Sequence, residues 1–406
     1  MGSLPATFEE VLAQSTGKDS NIVPGCVLAA VNSSGDYFYH KAAGDSGVKP
    51  DAKPLDIEAT FWIASCTKLL TSICALQQVE QGKVDLDEDI TRIVPEMKDL
   101  PIITADESAP NGFTLRPRHN KITLRQLLSH TSGVGYDFLS PLIQAWREKN
   151  GPPPAERAGK VLLQYLTPLL FEPGEGWAYG SGIDFAGIMV ERLNGGQRLG
   201  EYMAEKIFKP LGMNSTCFHI DRAPEIRARL MSSSRREADG TLSHSDSNGW
   251  PEHMDEDCGG GGLWSSVTDY MKVLADLISP QPTLLKIDTI NNILAAPQIP
   301  PGNKGLAMLA DARGGAVAAN AAASADAPPI NYGCGGMVIT ADSDILPAGT
   351  LTWGGLPNLK WFLNREKGVA AMYATQILPH GDEMSIGLSN KFFAEVLRLH
   401  QEKKVK

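Results

Sequence analysis

Three Ser-x-x-Lys tetrads occur in this chain, at Ser15/Lys18, Ser46/Lys49 and Ser65/Lys68. A hydroxyl and an amine three residues apart share one helix face. An amine shielded from water gives up its proton more readily, so it can help a serine act as a nucleophile. Context separates the three. "STGK" contains Gly17 and no apolar period follows it, and "SGVK" sits in a loop rich in Gly, Pro and Asp. Only "SCTK" opens a long apolar-periodic segment directly after a strand candidate, "ATFWIAS". There the free N–H groups and positive end of a helix would favour an oxyanion. A helix-capping serine followed by a solvated lysine is the competing account.

Two further stretches weigh on that choice. In "EPGEGWAYGSGIDFAG", Tyr179 stands in a Gly-rich turn just before a helix, where its hydroxyl can project. Beside a lysine, such a phenol is a competent general acid or base. In "LTWGGLPNLKWF", Gly354-Gly355 interrupts an apolar strand and lets a ligand approach the backbone. The N–H of Leu356, with that of Ser65, would then bind an oxyanion. A half-buried tyrosine and an edge bulge are the plain alternatives for these two, and the three features together favour the nucleophile.

Other chemistry finds less support. No Gly-x-Ser-x-Gly elbow is present. His130, in "LLSHTSGVGY", is read as structural. His253, Asp255, Glu256 and Asp257 lie close together without a second histidine cluster, which reads as solvated loop carboxylates and no metal site. "CGGGG" lacks the Lys-Ser/Thr of a phosphate loop. The six cysteines are scattered, without metal-ligand pairing, and Cys66 reads as a packing residue.

The elements that must position these residues follow from periodicity. "GCVLAAVNSSGDYFYHKAAGD" reads as two strands about a turn. From Lys68, the residues Leu69, Leu70, Ile73, Leu76 and Val79 recur at three and four, as in an amphipathic helix ended by Gly82. Helical segments then dominate, with Thr123, Ser140 and Ser266 or Thr268 as caps. Strand character returns in "GGMVITAD", "AGTLTWGG", "LKWFLNRE" and "GVAAMYATQIL", before a closing helix. These elements predict an α+β sandwich: an antiparallel sheet built from the N- and C-terminal segments, flanked by helices, with a large, mostly helical insertion. The expected division is about 1–65 with 300–406, and 66–299 for the helical part. The alanine-rich piece at 307–329 reads as a surface insertion or flap.

The combined motifs resemble the serine β-lactamase and penicillin-binding superfamily, most of all its class C and esterase branch. Within that branch, "IASCTKLLTSICALQQVEQGKVDLDE", "KITLRQLLSHTSGVGYDFLSPL", "WAYGSGIDFAGIMVERLNG" and "GGLPNLKWF" are similar to fungal lovastatin-type acyltransferases. The resemblance runs from about Pro24 to Leu397 and fails in the alanine-rich piece. It implies Ser65 as nucleophile, Lys68 and Tyr179 as its activators, and an oxyanion hole from the N–H groups of Ser65 and Leu356. It also implies substrate contacts from Tyr136, Ser181, Trp353, Gly354 and Gly355, with no cofactor and no metal. Two departures stand out. Ser181 replaces the Asn of the class C enzymes, and Trp353-Gly354-Gly355 replaces their Lys-Thr-Gly. Losing that cation disfavours β-lactams and favours esters or thioesters with apolar acyl groups.

The expected activity is transfer of an acyl group to a small-molecule alcohol in secondary, polyketide-type metabolism. The donor would be a carrier-protein or coenzyme A thioester, or an ester. Hydrolysis by the same fold, using water as acceptor, is the alternative, and an idle binding scaffold a third. A net charge of −10 and the lack of a dense basic run argue against nucleic acid. No apolar run approaches the roughly 18 residues of a membrane span. "MGSLPATFEE" lacks the layout of a secretory signal, so the expected location is cytoplasmic.

Overall fold

The structure, a computed structural model, describes residues 7–152, 154–313, 329–343 and 345–405. Seven strands form one antiparallel sheet: β1 (Gly25–Asn32), β2 (Tyr37–Gly44), β3 (Ile330–Tyr332), β4 (Met337–Ile339), β5 (Leu351–Gly355), β6 (Leu359–Asn364) and β7 (Val369–Ala374). Their order is β2-β1-β7-β6-β5-β4-β3. The two termini therefore meet at its centre, where β1 pairs with β7 from Val27 opposite Ala374 to Asn32 opposite Val369.

Alternation along β1 divides its side chains between two cores. Cys26, Leu28 and Ala30 pack with Phe8 and Leu12 of α1 (Phe8–Ser15) and with Phe392 and Phe393 of the closing helix, Glu383–Val405. Val27, Ala29 and Val31 belong to the larger core on the opposite face. There the sheet is covered by the helix Val267–Ile278, although that helix lies inside the segment expected to form the helical part. Its N-cap is Ser266, whose hydroxyl accepts from the Asp269 N–H; Thr123 and Ser140 cap their helices likewise.

The helix after Ser65 departs from expectation. α2 (Thr67–Glu80) is buried on every side from Thr67 to Gln78, and so is not amphipathic. Helix Gly182–Leu193 packs along it, and several of the polar side chains of α2 find partners inside the protein, whereas the buried Ser72 hydroxyl has none among the described residues. Thr71 donates to the Gly259 carbonyl at 2.7 Å, Gln77 to the Leu284 carbonyl at 3.0 Å, and Gln78 to the Tyr202 hydroxyl at 2.6 Å. Periodicity of Leu and Ile marked the helix but could not show that its polar face was also covered. The alanine-rich piece also differs in its first part, which belongs to helix Lys304–Arg313, where Leu309 is buried. Residues 314–328 lie outside the described residues.

On β6, directly opposite Gly354, the side chain of Lys360 is buried, with the Asn390 amide oxygen 3.3 Å from its amine. Burial lowers its pKa from the ordinary 10.5 to about 7. Between those values the unfolded chain holds a proton that the folded chain sheds, so stability rises with pH across that window. Lys360→Met should remove this slope and raise stability at pH 7 and below by up to a few kcal/mol. Denaturant melts from pH 6 to 10 check it, and parallel slopes for the two proteins would count against it.

Candidate active site

The turn carrying Ser65 is pinned on both sides. The strand Thr60–Trp62 pairs antiparallel with Trp264–Ser266, apart from the main sheet. The Ile63 N–H then donates to the Leu263 carbonyl at 3.0 Å, and the Tyr270 hydroxyl to the Cys66 carbonyl at 2.9 Å. Between these anchors Ala64 is held at φ +44°, left-handed and strained for an alanine. Ser65 lies in the single 3-10 turn Ala64–Cys66 that leads into α2, and no side chain caps either element. The capping account is therefore excluded. Burial pushes the Cys66 thiol well above its usual range, against a role as a second nucleophile.

Ser65 Oγ instead has two side-chain partners. The Tyr179 hydroxyl donates to it at 2.6 Å, and Lys68 Nζ at 3.2 Å. Lys68 Nζ also donates to the Gly260 carbonyl at 2.6 Å and to the Tyr136 hydroxyl at 3.1 Å, which accounts for all three N–H bonds of an ammonium. It stands 4.7 Å from the centroid of the Tyr179 ring. The Trp353 indole N–H points at the same phenol, 3.3 Å from its oxygen. The position where class C enzymes keep a cation thus supplies a neutral donor as well as an aromatic wall.

A second ring of contacts supports Lys68. Asp184, wholly buried, accepts from the Gly260 N–H at 2.8 Å and from the Tyr136 hydroxyl at 3.2 Å. One carboxyl group thus holds both of the lysine's other acceptors. Burial raises the Asp184 pKa and Lys68 opposes that shift; burial and Asp184 together push the Tyr136 phenol well up. Position 260 must be glycine, because a Cβ there would lie 2.2 Å from an Asp184 oxygen.

Gly354, Gly355 and Leu356 border the site from the sheet side. A Cβ on Gly355 would fall 2.5 Å from the Ile63 carbonyl, so only glycine lets β5 run this close to the nucleophile turn. The Leu356 carbonyl accepts from His380 Nδ1 at 3.2 Å. The cavity in front of Ser65 measures about 400 Å³. Trp62, Trp250, Phe138, Leu139 and Trp353 give it a mostly apolar wall, with Tyr165 and His380 as polar groups. Trp62 and Trp250 stack at 5.5 Å.

Of the residues expected from sequence, Ser65, Lys68, Tyr179, Tyr136, Trp353, Gly354, Gly355 and Leu356 all come together here. Ser181 does not: it is fully buried, is not among the residues that line the cavity, and its hydroxyl has no partner among the described residues. Reading the 253–257 carboxylates as simply solvated also needs correction. Asp257 is buried against His219 at 2.7 Å and Arg198 at 3.0 Å, and Glu256 accepts from the Val161 N–H. These contacts anchor the loop that delivers Gly260. Sequence reasoning missed Asp184, Gly260 and the tryptophan pair. An acid inside the apolar run "GIDFAGIMV" was the one signal available.

A model of the β-lactamase family matches residues 15–389. The chain is 36% identical to the acyltransferase calJ of Penicillium decumbens, covering 94% of this chain and 96% of that protein. It is 33% identical to the lovastatin esterase of Penicillium rubens, covering 94% and 96%. The solved structure of simvastatin synthase (LovD) from Aspergillus terreus, unliganded, matches with a TM-score of 0.86 at 30% identity, over 98% of this chain and 99% of that one. The chain belongs to the β-lactamase family and is an enzyme of its acyltransferase and esterase branch, as the resemblance implied. No helix among the described residues is long and apolar enough to cross a membrane.

The ring through Asp184 makes a testable demand on turnover. An asparagine there can still accept from Gly260 but turns an N–H toward Tyr136. Asp184→Asn should lower kcat on the order of tenfold or more, with KM changed by less than about threefold. Steady-state kinetics on a p-nitrophenyl ester check this, and a selective rise in KM would contradict it.

Proposed function

We propose that the protein is a serine acyltransferase that moves an apolar acyl group from a thioester or ester to an alcohol on a polycyclic, polyketide-type acceptor. The supporting observation is the Ser65 oxygen bonded at once by the Tyr179 phenol and the Lys68 amine, at the head of a largely apolar cavity. In the reacting form Tyr179 has released its own proton to solvent, so the contact reverses: Ser65 Oγ attacks the acyl carbon while its proton passes along the 2.6 Å contact to the Tyr179 phenolate. The lysine's charge stabilises negative charge on either oxygen. The N–H groups of Ser65 and Leu356 receive the developing oxyanion. Collapse breaks the C–S or C–O bond, and Tyr179 returns the proton to the departing thiol or alcohol. The acceptor alcohol then enters, gives its proton to Tyr179 and attacks the acyl carbon; Ser65 leaves and takes that proton back.

Water in the acceptor's place gives hydrolysis. The relative named lovastatin esterase favours keeping this second reading. Which one prevails depends on how completely the acceptor fills the tryptophan-lined cavity. A thioester donor would reach Ser65 from coenzyme A or from a carrier protein.

Incubation with a short acyl thioester, followed by intact-mass analysis, should show one acyl adduct, absent in Ser65→Ala. Tyr179→Phe should slow its formation by 10²- to 10⁴-fold, on the order expected for loss of general acid–base catalysis. A wild-type protein that never acylates would overturn the proposal. Adding hydroxylated polycyclic acceptors should divert product from free acid to ester, whereas unchanged acid release would favour the hydrolase.

A further inference from the structure

We propose that His130 is the positioning residue of Tyr179, clamping the turn on both sides of the phenol so that its oxygen meets Ser65. The inference rests on the acyl-transfer reading above and assigns a task to a residue the reaction itself does not touch.

His130 binds the N–H groups of the two residues that flank the tyrosine. Its carbonyl accepts from the Ala178 N–H at 3.0 Å, and its ring Nδ1 accepts from the Gly180 N–H at 3.3 Å. The ring lies 4.7 Å from the Tyr179 ring, and Trp177 and Tyr332 close around it edge-on at 5.9 and 5.1 Å. Backbone and ring of one residue thus fix position, tilt and height of the phenol.

The backbone of His130 is specialised for this grip. Its φ of +60° is left-handed, a conformation costly for most side chains. Accepting from a backbone N–H requires a lone pair on Nδ1, so the ring proton sits on Nε2, which has no partner among the described residues. Burial, and next the charge of Lys68, hold the ring pKa well below the usual histidine value, so the lone pair persists. A triad base would need a nitrogen on the serine. Here Ser65 is already bonded by Lys68 and Tyr179, and the histidine acts one residue further back.

The test exploits the left-handed backbone, which Gly and Asn tolerate. His130→Gly keeps the path of the chain and removes the ring acceptor, whereas His130→Asn returns an amide oxygen close to the position of Nδ1. Acylation of Ser65 by a p-nitrophenyl ester would be followed by single-turnover mass analysis, with steady-state kcat and KM alongside. His130→Gly should acylate on the order of 100-fold more slowly, with KM within about threefold, and His130→Asn should recover most of the rate. On a Tyr179→Phe background His130→Gly should cost little more, because both changes remove one function. A folded His130→Gly with wild-type kcat, or a loss that adds in full to that of Tyr179→Phe, would overturn the proposal. If thermal melting shows the glycine variant unfolded, His130→Gln, whose oxygen is displaced by one methylene, is read in the same cycle. A wild-type protein that forms no Ser65 adduct sinks the function and this inference together, whereas normal acylation with an indifferent histidine sinks only the latter.

Discussion

Lys68 is 2% exposed, near the start of a helix buried on all sides. Taking an ammonium out of water costs several kcal/mol unless each N–H finds an acceptor. Much of the surrounding architecture answers that demand. Gly260 supplies a carbonyl, Tyr136 a hydroxyl and Ser65 the third oxygen. Asp184 then braces two of these acceptors without touching the amine, through one peptide N–H and one phenol. The Gly260 loop can come this close because positions 259 and 260 carry no side chains: a Cβ there would lie 2.9 Å from Thr71 and 2.2 Å from Asp184. Its approach is fixed in turn by Asp257, held between His219 and Arg198.

This arrangement explains why the nucleophile was legible in the sequence and its support was not. Ser65 and Lys68 are three residues apart, so helix geometry alone makes them neighbours. Tyr179 could be picked out because a large aromatic in a Gly-rich turn has little packing purpose. Asp184 and Gly260 are joined to the site by contacts spanning 76 and 192 residues, which no local pattern encodes. Ser181 was carried across from a resemblance, and the fold buries it. The sheet was legible for a related reason. Its central strands are short apolar runs, buried on both faces and bounded by turn residues, whereas the buried α2 hid its second contact face behind ordinary Thr and Gln.

The wall in front of Ser65 shows how one substitution class reshapes an inherited site. A cation at position 353 would bind a carboxylate. Trp353 instead gives an apolar surface while retaining one N–H for the Tyr179 oxygen. The phenol thus has a neutral donor to orient it, and the wall does not select for anionic ligands. Trp62 and Trp250 extend the same apolar character across the cavity. Affinity for a ligand then comes from buried hydrocarbon area, and orientation from a few polar edges.

The pairing of β1 with β7 carries a consequence for biogenesis. Thr375 donates to the carbonyl of Gly25, 350 residues away along the chain. A nascent polypeptide emerging from the ribosome presents β1 long before its partner has been translated, with an apolar face and an unsatisfied edge. The intervening segment can condense early through its short-range helical contacts, while the central sheet waits for the last strands. Late closure of this kind leaves one edge of the N-terminal hairpin open through most of synthesis.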